Sequence, residues 1–482
     1  MDNRISRLVV AGLSGDSGKT IVSLSLLAGF RQKGLTVSAF KKGPDYIDPA
    51  WLSQAAGSVC RNLDTFLAGA DCVLKTFVTH AANSDIAVIE GNRGLYDGQD
   101  AVGTHSTAQL SKLLRAPVIL VVDATKATRT VAAMVKGCQV MDPDVVIAGV
   151  VLNRVGGERH RRVITEAIEQ SCRLPVVGAI PRLGRDSDII PGRHLGLVPP
   201  TEYAAAGDYR GKLLMIAREH LDLERMIATA GEAEPLKGPA GRSEAAATRE
   251  AKIGYFTGSA FTFYYPENLE ALEAAGAELV PVDPAQDEIL PALDGLYIGG
   301  GFPETHAEQL AVNRSMMAAV KHASDGGMPI YAECGGLIYL SRSITWQSEK
   351  HSMAGVFPVD LEVAERPIGH GYSRLRVAKD NPFFDAGEEF KGHEFHYSGP
   401  ATVPQPADCC MEVLVGTGLG NKLDGLQRRS TVAVYTHLHA GGAVKWAPRF
   451  VQSAREFSRQ QADTDSSGDE PDVNESNGRR VA

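Results

Sequence analysis

From Arg7 to about Ile180 the chain alternates short, nearly unbroken apolar runs rich in β-branched residues with stretches whose apolar positions recur every three or four residues. The runs fall at 8–11, 36–40, 86–90, 118–123, 145–152 and 176–180, and the helical periodicity is clearest at 21–33 and 107–114. A strand apolar on both sides must be covered on both faces, and such strands alternating with helices build a parallel sheet. The pattern therefore predicts an α/β domain over 1–228. Between 229 and 251 aromatic and β-branched residues give way to Ala, Gly, Glu and Pro, the composition of a linker. A second strand-and-helix series follows over 252–447, with runs starting at Ile253 and at 279–282, 295–298, 329–332 and 432–435, again α/β in rhythm. From about Gln460 to Ala482 the chain is polar, acidic and without apolar period, which predicts a disordered tail.

Length and charge agree with this division. A chain of 482 residues exceeds what one core organises, so two domains are expected. The formal charge of -9, without a block of Lys and Arg, offers no surface for tracking phosphates, and nucleic acid is not an expected partner. Seven unevenly spaced cysteines make neither a disulfide framework nor a paired CxxC site, which points to a reducing compartment. The vicinal pair Cys409 and Cys410 is assigned no role. No run approaches the roughly 20 apolar residues of a membrane span, and the first residues lack the apolar region of a signal peptide. The expectation is a cytoplasmic protein without a membrane partner.

The first apolar run leads into Gly12-Leu13-Ser14-Gly15-Asp16-Ser17-Gly18-Lys19-Thr20 and then a helix. Strand, glycine-rich loop and helix is the context of a P-loop. Gly12, Gly15 and Gly18 let backbone N–H groups close around phosphates, Lys19 reaches the outer phosphates of ATP, and Thr20 can hold Mg²⁺. The spacing from Gly12 to Gly18 is one residue longer than in a strict Walker A loop. Asp45, Asp48, Glu90 and Asp97 follow where the second and third strands end, and ligand groups gather beyond the carboxyl ends of parallel strands. They are candidates to ligate Mg²⁺ or orient an acceptor. The plainer reading of Asp45 and Asp97, each beside Pro or Gly, is turn formation.

In the second half a strand at 329–332 ends in Glu333-Cys334-Gly335-Gly336, a small-residue turn into an apolar helix. A cysteine on such a turn is an exposed nucleophile, and the helix start is expected to lower its thiol pKa. Upstream, Gly299-Gly300-Gly301 follows another strand, so that the N–H groups of Gly300, Gly301 and Gly335 form a candidate oxyanion hole. The run at 432–435 places His437 and His439 at its end. Two further clusters, around His370 and around His393 and His396, either face an acceptor or are structural.

The P-loop, Lys42-Gly43-Pro44-Asp45-Tyr46-Ile47-Asp48, Arg61-Asn62-Leu63-Asp64, Glu90-Gly91 with Gly94-Leu95-Tyr96-Asp97-Gly98, Leu152-Asn153-Arg154 and His194-Leu195-Gly196-Leu197 together resemble the cobyrinic acid a,c-diamide synthase family. The longer loop also resembles that of dethiobiotin synthetase and its relatives. The likeness implies a P-loop NTPase-like domain joined to a class I glutamine amidotransferase-like domain. By that resemblance Asn153 contacts adenine, and Lys19, Thr20, Glu90 and Asp97 meet the phosphates and Mg²⁺. Asp45, Tyr46 and Asp48 lie toward the carboxylate of a tetrapyrrole. His437 matches the histidine that activates the nucleophile, Cys334. Most class I enzymes carry a glutamate two residues later, where His439 stands here, so a Cys and His pair is expected.

The resemblance implies that glutamine supplies ammonia, ATP activates a carboxylate as an acyl phosphate, and a tetrapyrrole polycarboxylate is amidated at its a and c acetates. The acceptor is cobyrinic acid or, alternatively, siroheme or nickel sirohydrochlorin. The segments Gly12 to Gly15, Glu90 to Gly94 and Asp123 to Arg129 look closer to the siroheme-amidating branch. A homodimer is the expected assembly. A rival of another class is a P-loop switch ATPase carrying a non-catalytic amidotransferase-like module, against which the intact Cys334 and His437 argue.

Overall fold

A computed structural model describes residues 2–183, 192–193, 196–197, 200, 209–237 and 249–467. His194 and Leu195, most of the expected linker and the end of the tail lie outside the described residues.

The first apolar series folds into a seven-stranded sheet. Its spatial order is Arg61–Leu63, Val37–Lys42, Ile86–Gly94, Arg7–Gly12, Val118–Asp123, Ile147–Val155 and Val176–Pro181. Every pairing in it is parallel. Two cores cover the sheet, one holding Val9, Phe40, Ile89 and Leu120, the other Leu8, Val10, Val88 and Val121. Adjacent strand residues thus go to opposite faces, as the pleat dictates, and both faces are dry. The helix Lys19–Gln32 begins one loop after the central strand. The carboxyl ends of the strands 7–12, 37–42 and 86–94 are neighbours, which gathers the candidate residues of the first half. The strand Arg61–Leu63 at the sheet edge was not foreseen, because three residues carry too little periodicity.

The second series gives a ten-stranded sheet whose first five strands are parallel: Ala277–Val282, Ala251–Phe256, Gly295–Ile298, Ile330–Glu333 and Thr431–Val434. The sheet then turns antiparallel through Leu423–Arg428, Cys409–Val415, Gly369–Val377 and Glu389–His396, and ends on His437–Leu438. This half is only partly the α/β rhythm expected, since Gly369–Val377 alternates buried and exposed residues as a one-sided antiparallel strand does. The helix Trp446–Ser467 closes the unit, burying Trp446, Phe450, Val451 and Ala454. It runs through Gln460 to Ser467, past the expected start of disorder, since an anchored helix propagates at one hydrogen bond per residue.

The chain divides into two compact units that do not coincide with its two halves. The first comprises 1–244 together with 263–268 and 438–443, and the second comprises 245–262, 269–437 and 444–482. In the expected linker, residues 229–231 finish the helix Leu223–Gly231, and 236–237 pair with 2–3.

Candidate functional site

In the first unit the loop after Arg7–Gly12 closes on itself. The Ser14 N–H donates to Ser17 Oγ (3.1 Å), and Ser17 Oγ donates to the Ser14 carbonyl (2.7 Å). Lys19 Nζ donates to the same carbonyl at 3.3 Å. Gly18 has φ +95°, and a Cβ there would lie 2.1 Å from Asn153 Nδ2, so no other residue fits. Asn153 itself stands at the end of Ile147–Val155 and donates its amide to the Ser17 carbonyl at 2.9 Å. Thus Gly18, Lys19 and Asn153 meet at one loop, and the Lys19 ammonium is held below its usual pKa by burial and then by Lys41.

The acidic residues organise around a lysine that sequence reasoning passed over. Lys41, the penultimate residue of Val37–Lys42, is buried, and its Nζ lies 2.5 Å from Asp48 Oδ2, 2.7 Å from Glu90 Oε1 and 3.7 Å from Asp45 Oδ2. Burial works to neutralise this ammonium, but the three carboxylates outweigh it and raise its pKa. Burial, with the charge of Asp48, pushes Asp45 up to about 7. For Asp48 the same burial is overcome by Lys41, which holds it below the usual range. Asp45 also forms a turn: its Oδ1 accepts the Ile47 and Asp48 N–H groups at 3.0 Å and starts the helix Ile47–Ala56. Tyr46 stacks on Phe263 at 5.0 Å and tilts against Tyr265 at 4.7 Å, both from the 263–268 segment of this unit.

Thr20 Oγ1 donates to Glu90 Oε1 at 3.0 Å, while the buried Oε2 has no hydrogen-bond partner. A hydroxyl beside an orphaned carboxylate oxygen is a hard-oxygen pair of the kind Mg²⁺ takes. Asp97 is engaged differently. Its Oδ2 accepts the Gly94 N–H at 2.8 Å and shapes the turn after Ile86–Gly94. Among the described residues no cluster of three His, Cys, Asp or Glu side chains could hold a metal.

In the second unit Cys334 follows Ile330–Glu333 with φ 47° and ψ -96°, a strained conformation for a residue with a Cβ. Its N–H donates to the Val434 carbonyl at 2.7 Å, fixing the turn to the neighbouring strand. The three glycines converge, since a Cβ on Gly335 would sit 3.0 Å from Gly301 N and 3.3 Å from the Gly300 carbonyl carbon. The expected lowering of the thiol pKa is overturned. Burial, and then the charge of Glu304, raise it, and they outweigh the lowering by the Gly335 N–H at the start of the helix Gly335–Leu340.

His437 is buried with its Nδ1 3.2 Å from Glu333 Oε2, and its ring lies against that of His393 at 5.0 Å. His396 is tied to the Ser398 carbonyl through Nδ1 and stacks on Tyr435 at 3.9 Å. His439 belongs to the first unit, where its ring meets Tyr265 at 4.8 Å and its Nε2 lies 3.7 Å from Glu267. Its Nδ1 accepts the Gly441 N–H, and burial lowers its pKa to about 4. Sequence reasoning missed Lys41 and Glu333; the one signal available was a charged residue at the end of a strand that had to be buried.

Two family models match the chain in order. Residues 8–191 match the CobQ/CobB/MinD/ParA nucleotide binding domain, and 252–444 match the CobB/CobQ-like glutamine amidotransferase domain. The chain thus joins a nucleotide-binding domain to a glutamine amidotransferase domain. Among curated proteins it is 42% identical to a cobyrinate a,c-diamide synthase of Magnetococcus marinus, over 95% of this chain and 98% of that one. It is 38% identical to those of Archaeoglobus fulgidus and Methanosarcina barkeri, over 93% and 94% of this chain and 98% and 97% of theirs. Identity of this order along the full length of those proteins, across both domains, means that the chain belongs to the cobyrinate a,c-diamide synthase family.

Proposed function

We propose that this protein amidates the a and c acetate carboxylates of cobyrinic acid, with ammonia from glutamine and activation by ATP. The observation that carries the reading is that one chain holds both a P-loop built on Lys19 and a strained Cys334 turn facing three glycines.

Cys334 attacks the amide carbon of glutamine while His437 takes the thiol proton and returns it to the departing nitrogen. The N–H groups of Gly300, Gly301 and Gly335 receive the developing oxyanion. In the first unit Gly12, Gly15 and Gly18 accommodate the phosphates of ATP, Lys19 neutralises their charge, and Asn153 meets the adenine. Asp45, Tyr46 and Asp48 hold the acceptor, whose carboxylate becomes an acyl phosphate that ammonia displaces. Thr20 and Glu90, with Asp97, would hold Mg²⁺, which supplies charge neutralisation of the phosphates when bound. The acting form is a homodimer.

This route releases two ADP and two phosphates per diamide. The purified enzyme with glutamine, MgATP and cobyrinic acid should show that ratio, and AMP with pyrophosphate would refute the acyl phosphate. Competition among cobyrinic acid, siroheme and nickel sirohydrochlorin tests the acceptor. Pockets that hold like acetates discriminate by ring periphery, where a methylene is worth ~1–3 kcal/mol. A preference for siroheme above about a hundredfold would change the acceptor and leave the chemistry intact.

A further inference from the structure

Class I glutamine amidotransferases resembling this domain place a glutamate two residues after the active histidine, and here that position is His439. Its side chain is spent in the first unit, against Tyr265 and Glu267, and is not available to His437. Yet the Nδ1 of His437 does face a carboxylate. Glu333 is the last residue of Ile330–Glu333 and the immediate neighbour of the nucleophile, and its Oε2 lies 3.2 Å from that nitrogen.

The local fold explains how Glu333 and Cys334, adjacent in one short segment, can turn in different directions. In a straight strand, residues 333 and 334 would point to opposite faces of the sheet. The positive φ of Cys334 breaks that alternation, while Glu333 keeps parallel register with Val434, three residues before His437. Glu333 is fully buried, and a carboxylate without a partner there would cost several kcal/mol. A carboxylate oxygen at this distance accepts a hydrogen bond from an Nδ1–H, the tautomer whose lone pair is on Nε2. The stacked His393 covers one face of the ring and limits its rotation.

We infer that Glu333 is the positioning residue of the glutaminase centre, fixing the tautomer and orientation of His437 in place of the glutamate that other class I enzymes carry beyond the histidine. The inference rests on His437 being the base. In the reaction the Cys334 proton moves to Nε2 as sulfur bonds to the glutamine carbonyl carbon, and the same proton then passes to the amide nitrogen as the carbon–nitrogen bond breaks. Ammonia leaves, and water hydrolyses the thioester to glutamate. Glu333 stays a carboxylate throughout and stabilises the imidazolium that forms between the two transfers. Burial, Glu304 and Glu333 itself all oppose a standing thiolate at Cys334, so a base that takes the proton as sulfur attacks is needed.

The test compares Glu333→Gln, Glu333→Asp and His437→Ala in the full-length protein, measuring glutamine hydrolysis, ammonium-dependent synthesis and thermal unfolding. An amide can turn its NH₂ toward Nδ1 and impose the wrong tautomer, so Glu333→Gln should lower kcat by roughly 10²–10⁴-fold. KM for glutamine should stay within about threefold, because Glu333 does not bind the substrate. Glu333→Asp, which keeps the charge, should recover at least about tenfold over the Gln variant. Alkylation of Cys334 by a diazoketone analogue of glutamine should slow in the same order, and ammonium-dependent synthesis should be unchanged. If Glu333→Gln hydrolyses glutamine at near the wild-type rate while His437→Ala is inactive, the inference is wrong. If His437→Ala keeps its activity, the assignment of the base fails instead. Equal loss in both Glu333 variants, with lowered unfolding temperature and altered KM, would reduce Glu333 to a structural residue and also overturn the inference.

Discussion

In the first unit a single ammonium, Lys41, is surrounded by Asp45, Asp48 and Glu90, whereas in the second a single residue, Cys334, carries strained backbone among glycines. The first centre is a balance of charges. Its three carboxylates share one buried ammonium, and Lys41 makes their desolvation tolerable. The second is a matter of backbone shape, in which N–H groups and a turn are set before any ligand arrives. Phosphoryl transfer asks for charge to be placed and neutralised, while thiol attack asks for a nucleophile aimed at a hole of donors. The difference teaches that substitutions should act on the first centre through electrostatics and stability, and on the second through rate alone.

The sharpest break in the comparison is Cys334→Ala. Glutamine-dependent amidation should fall more than about 10³-fold, while synthesis driven by high ammonium persists and the unfolding temperature hardly moves. Loss of the ammonium-driven reaction as well would mean that the two centres are not separate. Lys41→Met should do the opposite, leaving glutamine hydrolysis in place but removing the partner of the buried Glu90 and the half-buried Asp45 and Asp48. Breaking such a network costs about 3–5 kcal/mol, near the lower end here because Asp45, at about 7, can take up a proton. Denaturant unfolding would measure it, and a change below about 1 kcal/mol would contradict the charge-balance reading.

The smallest effect separates the two neighbouring histidines. His439 is buried with a pKa lowered to about 4 from 6.5, so between those values the unfolded chain binds a proton that the folded one does not. Its contribution is complete above pH 6.5 and is lost as the pH falls toward 4. His439→Gln should flatten this part of the stability profile and leave glutamine hydrolysis within about threefold. A loss of hydrolysis comparable to that of His437→Ala would place His439 in the glutaminase after all.

What was legible in the sequence follows from range. The P-loop, the Cys334 turn and the glycine run are local, because each needs particular residue types within a few positions and leaves a readable motif. The parallel strands were legible because burial on both faces forces unbroken apolar runs, as at 118–123. The antiparallel strands were not, since Glu389–His396 alternates only over its first residues and then buries the polar His393 and Glu394 side by side. The Glu333 pairing spans 104 residues and the Lys41 contact with Glu90 spans 49, and no spacing rule reports either. The misjudged thiol shows the same limit. The helix start was visible, but the burial and the Glu304 charge that outweigh it belong to the packed protein.

The membership of residues 263–268 and 438–443 in the first unit bears on how this protein could be divided. A break within 238–248 gives two polypeptides, each carrying one of the matched domains. The first of them would lose Phe263 and Tyr265 from the face of Tyr46, and Gly441 and Gly442 from beside Cys72 and Leu67. It would keep its P-loop and sheet yet expose aromatic and apolar surface that the intact unit covers. The two matched domains are therefore joined by shared architecture, since segments from the second half of the chain complete the first unit.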